Sequence, residues 1–208
     1  MVIRSYKLGE HCGGASAFRG TAHSAKCAGT VKHFDPSSTS AELKQLRDQV
    51  RSLDPRRLVT ASCGGHDLSP EDVRESLLAI GPDFLSVHRP RTADSPGQTQ
   101  ARAAACLEAM NKIARAVPVH YQEPFRRGYR QWEPTAADFL TDLRGAWAGG
   151  ASGWCFHNGS RRTAPDQQPR RSFDLRDRRL IDQLDGEEQK VIAAAAAVLG
   201  PNSVPPGR

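Results

Sequence analysis

VPVHYQEPFRRGY, from Val117 to Tyr129, is the stretch on which the reading of the fold turns. Val117, Val119 and Tyr121 alternate with Pro118, His120 and Gln122, the period of a strand with two unlike faces. The run stops at Glu123, and Pro124 follows at once. Proline cannot donate to a ladder, so it closes the strand there. A carboxylate at the last position of an apolar strand is an unusual placement that asks for a reason.

Working outward, the same unit recurs. Upstream, AELKQLRDQVRSL carries Leu43, Leu46, Val50 and Leu53 at helical spacing, and Asp54 and Pro55 end it. LVTAS, Leu58 to Ser62, is a short β-rich run before Gly64 and Gly65. In SPEDVRESLLAIG, Ser69 is placed as an N-cap, Pro70 opens the helix and Gly81 stops it. DFLSVH, Asp83 to His88, reads as a strand. A loop with Pro90, Pro96 and Gly97 is expected next, then a helix from about Thr99 to Ala116. Downstream of Glu123, Pro134 to Trp147 reads as a helix with Phe139, Leu140 and Leu143 on one side. SGWCFH, Ser152 to His157, is a strand again, and Leu180 to Ile192 holds one or two last helices. Strands alternating with helices of this length predict a parallel sheet covered by helices. An open doubly wound sheet and part of a (β/α)8 barrel both fit that pattern. No glycine-rich phosphate fingerprint follows any strand, which weighs against the nucleotide-binding open sheets.

The polar residues gather at the strand ends. LVTAS runs into Ser62, His66 and Asp67; DFLSVH into His88 and Arg89; VPVHYQ into Glu123; SGWCFH into Trp154, His157 and Asn158. In parallel α/β folds the carboxyl ends of the strands share one mouth, where ligands sit. Any one of these side chains alone is read as a loop residue in water. Four strands ending alike point to a site.

Taken in order, LDPRRLVTAS, DFLSVHRPR, VPVHYQEPFRRGY and GASGWCFHNG resemble the last four strands of a cellulase-like (β/α)8 glycoside hydrolase of clan A. The resemblance runs from about Ser40 to Leu184. It implies an α/β chain that is a partial TIM barrel of about four parallel strand–helix units. It also implies retaining hydrolysis of O-glycosyl bonds with Glu123 as nucleophile, and no cofactor. By the same resemblance His88 lies beside the nucleophile and Trp154 floors the sugar subsite. Tyr121, which shares a face with Glu123 by strand alternation, would orient it. Ser62, Arg89 and His157 complete the expected substrate-binding set. A retaining mechanism needs a second carboxyl group about 5 Å from the first. Glu10, in LGEHCGG after the β-like VIRSYKL, is the local candidate for acid/base, although Gly9 stands where the family has Asn. Arg126 and Arg127 are placed to favour the charged form of Glu123.

A full barrel takes ~250 residues and eight strands, and this chain has 208 residues. The expected organisation is an irregular segment over 1–39 with one possible strand, the C-terminal half of a barrel over 40–199, and a loose tail over 200–208. Closure by a second copy, or by a missing N-terminal half, follows from that shortfall. A catalytically inactive carbohydrate-binding or interaction module is the alternative. Net charge is +6, but the arginines are scattered in pairs, so nucleic acid is not an expected partner. No run approaches the roughly 18 apolar residues of a membrane span, and no secretory signal opens the chain. The compartment is left open by the sequence, with the cytoplasm only as the default. Five cysteines without regular spacing argue against a disulfide framework, and Cys106 and Cys155 read as small buried residues. Cys12, His23, Cys27 and His33 have spacings that match no common zinc pattern, so no metal is expected.

Overall fold

The computed structural model describes residues 39–62, 66–127, 132–156 and 178–199. They form a mixed α/β fold, a three-stranded parallel sheet with five α-helices. Helix α1 is Ser40–Leu53. Helix α2 is Pro70–Glu75, and its last turn widens into a π-turn over Ser76–Ile80. Strand β1 is Leu85–His88, helix α3 Ser95–Lys112 and strand β2 Val119–Glu123. Helix α4 is Ala136–Ala148, strand β3 Gly153–Trp154 and helix α5 Gly186–Leu199, preceded by a short 3-10 turn at Leu180–Gln183.

Local chemistry sets the helix starts. Thr39, Ser69 and Thr135 each accept the backbone N–H three residues on, while Glu42, Asp72 and Asp138 reach back to the cap. These reciprocal bonds satisfy donors that a helix leaves orphaned. Gly81 ends the π-turn at φ +74, a left-handed conformation that favours glycine. Arg47 of α1 donates to the Ile80 and Gly81 carbonyls there, satisfying acceptors at the helix end. Helix α3 begins earlier than expected. Pro96 sits in its first turn, where a missing N–H costs nothing, so Pro96 and Gly97 are helical and only Pro90 stays in the loop.

The sheet order β1-β2-β3 follows chain order, and both pairings are parallel. LVTAS does not become a full strand. It joins the β1 edge through one parallel bridge, Ser62 to Ser86. Asp83 holds it there: the Asp83 N–H donates to the Val59 carbonyl, and the Asp83 carboxylate accepts the Val59 N–H at 2.7 Å. Arg51 pairs with the same carboxylate.

The two faces of the sheet differ. Leu85, Val87, Val119 and Tyr121 are fully buried on one side, in a core that includes Ala103, Cys106 and Met110 of α3 and Phe139, Leu143 and Ala146 of α4. Aromatic rings continue that core: Phe139 lies 4.8 Å from Phe125 and 5.2 Å from Phe156. The other side carries polar groups. Ser86 donates to the Gln122 side chain, and the His120 ring stands edge-on to Phe84. Gly153 is opposite His120, and a side chain there would run into the imidazole. Burial pushes the pKa of His120 down, so it sits neutral in that layer.

Phe139→Ala removes the ring on which Phe125 and Phe156 converge. It is expected to cost about 3–5 kcal/mol, read as a lower midpoint in urea unfolding, with the denaturant slope unchanged.

Candidate functional site

The mouth is built where three carboxyl-terminal segment ends meet. Ser62 ends LVTAS, His88 ends β1 and Glu123 ends β2. By plain alternation Glu123 would share the face of Tyr121. The pairing of β1 with β2 is instead irregular between Val87 and His88. Val87 pairs with Tyr121, but His88 pairs with Glu123, so β2 carries one extra residue. Such an irregularity re-aims the side chain that follows it. It brings Glu123 to His88, whose Nδ1 lies 3.9 Å from Glu123 Oε2. On its other side, His88 Nε2 is 2.9 Å from Ser62 Oγ. Arg91 donates to Glu123 Oε2 at 3.0 Å, so the carboxylate meets a guanidinium of opposite charge. The His88 and Glu123 side chains are 12% and 24% exposed, shielded from bulk water yet reachable from it. Cys155, just past β3, is close enough for the Glu123 charge to act on it. Burial first, and that charge second, push its thiol up to about 11.

The other predicted residues lie elsewhere. Trp154 pairs in register with Tyr121 and points to the helix side, where its indole N–H donates to Asp142 of α4 at 2.6 Å. It is a buried core ring and does not floor a subsite with Glu123. Tyr121 is fully buried, and its hydroxyl makes no hydrogen bond among the described residues. Burial raises its pKa; the charges acting on it are Cys106, Arg89, Asp142 and Arg102. Orientation of Glu123 by Tyr121 therefore gives way to Arg91 and His88. Arg89 turns inward as well. It is fully buried, pairs with Asp67, and donates to the Ser95 carbonyl at 2.6 Å. Arg102 meets the second oxygen of Asp67 at 3.2 Å. Arg127 binds Asp185 at 2.7 Å and the Pro134 carbonyl, so its charge is spent anchoring the start of α5. Glu10, His157 and the Cys12, His23, Cys27 and His33 cluster lie outside the described residues. Among the described residues no group of three His, Cys, Asp or Glu side chains is placed to hold a metal ion, and no helix is long and apolar enough to cross a membrane.

Two groups escaped the sequence reading. Arg91 lies past the end of β1, where alternation no longer tells a direction; its only signal is Pro90, which stiffens the turn. Asp142 sits on the apolar stripe of α4 with Phe139, Leu143 and Ala146. An acid on that stripe is a legible anomaly. Its carboxylate also bonds the Thr99 hydroxyl of α3. Burial pushes Asp142 up to about 6, against the opposing pull of Thr99, Trp154 and the Arg89 charge. Thr99 has one proton and two acceptors, since its hydroxyl also faces the Ser95 carbonyl at 3.2 Å. A protonated Asp142 resolves that conflict by donating to Thr99 itself.

No protein-family model, curated protein or solved structure matches the chain. The geometry has to carry the functional argument.

The raised Asp142 sets a pH dependence. Between its ordinary value of 3.8 and about 6 the folded chain binds more protons than the unfolded one. Stability from this group therefore falls as pH rises through that window, by on the order of 3 kcal/mol in total. Asp142→Asn, neutral at every pH, is expected to flatten the slope. Denaturant titrations of both proteins at half-unit steps from pH 4 to pH 7 measure it.

Proposed function

We propose that the described fold is half of a (β/α)8 barrel, and that Glu123 is the nucleophile of a retaining glycoside hydrolysis. The observation that carries this reading is the irregular β1–β2 register, which swings Glu123 off the buried face and into the strand-end mouth. Parallel strands in consecutive chain order with helices between them are what one arc of such a barrel requires. A strand end also holds a nucleophile more rigidly than a loop tip does.

The chemistry follows from the contacts. Arg91 anchors Glu123 Oε2 through one charged hydrogen bond. The carboxylate attacks the anomeric carbon as the bond to the leaving oxygen breaks, giving a glycosyl ester on Glu123. Water then cleaves that ester and restores the carboxylate. His88 faces the same carboxylate and holds the mouth's other wall with Ser62. The reading needs a second carboxyl group, as acid for ordinary leaving groups and as base that takes the proton of the water cleaving the ester. Glu10 is the chain's own candidate, and a second copy closing the barrel is another source.

The test isolates the nucleophile. Dinitrophenolate leaves without protonation, so its release from a dinitrophenyl β-glycoside in the first, glycosylation step depends on Glu123 and not on the acid. Glu123→Gln is expected to lower the rate of that release roughly a thousandfold or more. The matching 2-deoxy-2-fluoro glycosides should leave a glycosyl adduct on Glu123, found by peptide mass spectrometry. Equal dinitrophenolate release by both proteins, or an adduct on another residue, rejects the assignment.

A further inference from the structure

The mouth contains a second arrangement, independent of attack by Glu123. Ser62 Oγ, the His88 ring and the Glu123 carboxylate form a line, with 2.9 Å at the serine end and 3.9 Å at the acid end. We propose that Ser62 is an acyl-accepting nucleophile, with His88 as its general base and Glu123 as the residue that positions His88. The substrate class is a small carboxylic ester.

The order of atoms along the line is what the assignment rests on. Glu123 faces Nδ1, and Ser62 faces Nε2. A carboxylate beside Nδ1 favours the tautomer with its proton on that nitrogen. The lone pair of Nε2 then points at the serine hydroxyl, the direction that proton removal needs. The three residues come from three neighbouring segments of one parallel sheet, so backbone pairing fixes their spacing: Ser62 bridges Ser86, and His88 pairs with Glu123. The acid-end distance is longer than a hydrogen bond. Such contacts commonly tighten only when substrate arrives. Arg91 meets the same oxygen, Oε2, at 3.0 Å and restrains the carboxylate beside the imidazole.

The step balances without a co-reactant beyond water. Ser62 Oγ bonds to the ester carbonyl carbon while its proton passes to His88 Nε2. The tetrahedral adduct collapses, the carbon–alkoxide bond breaks, and the alkoxide takes that proton and leaves as alcohol. Water repeats the sequence on the acyl-serine, releasing the acid and restoring Ser62.

The experiment uses the full chain, a fluorophosphonate probe, which reacts with activated serines and releases fluoride, and p-nitrophenyl acetate as ester. Wild-type protein is expected to carry the phosphonate on Ser62, located by peptide mass spectrometry. Ser62→Ala should abolish both labelling and ester turnover. His88→Gln should slow labelling by about a hundredfold or more, and Glu123→Gln should slow it while leaving Ser62 the labelled residue. Far-UV circular dichroism confirms that each variant is folded; the wild-type labelling position stands whether or not a variant folds. Absence of label, label on another serine, or full labelling in folded His88→Gln overturns the proposal. Label on Ser62 without a fluoroglycoside adduct on Glu123 keeps this proposal and rejects the glycosidase reading, and the reverse result does the opposite.

Discussion

Everything in this fold depends on the pairing of β1 with β2. Each strand presents aliphatic or aromatic residues to one side and hydroxyl, amide or imidazole groups to the other. The apolar side has to be covered, and α3 and α4 cover it with Ala103, Cys106, Met110, Phe139 and Leu143. A one-residue slip would exchange the two sides completely. The structure makes that exchange for a single residue. The extra position in β2 leaves Val119 and Tyr121 in the core and releases Glu123 to the polar side. A local irregularity thus separates the part of the strand that stabilises from the part that presents chemistry.

A second set of polar contacts lies between the sheet and its helices. Arg89, Asp67 and Arg102 share charges there, and Asp142, Thr99 and Trp154 share protons. Burying Arg89 is unfavourable, and its ion pair with Asp67 offsets part of that cost. Groups of this kind add little net stability compared with an apolar core, but they tolerate few alternative packings. Their geometry ties α3, α4 and β3 to one another at fixed depth. Trp154 is held from both its ring face, against Phe156, and its nitrogen, on Asp142.

Much of the architecture could be read from the chain. The alternation in VPVHYQ, the Ser69–Pro70 helix start, the Gly81 stop and the placement of Cys106 and Cys155 all appear as read. Those features depend on local backbone chemistry and on burial, which leave periodic traces. The site was half legible. Ser62, His88 and Glu123 come together because strand ends converge. Trp154, Tyr121 and Arg89 do not join them. Alternation tells which residues share a side, but a register irregularity between two strands leaves no mark in either strand's own sequence. The expectation that Tyr121 and Glu123 share a face failed at that point. Arg91 was passed over for a related reason: beyond the last paired residue, direction is set by the turn and not by the pleat.

The parallel sheet also constrains how the chain reaches this structure. Leu85 and Val119, partners in the ladder, are separated in sequence by all of α3. Closing that crossover loses chain entropy before any ladder bond repays it. Helix α3 shortens the gap by condensing on its own. The contacts among Ser62, His88 and Glu123 need strand pairing, so a chain in which α3 has formed and the ladder has not would be helical and without them.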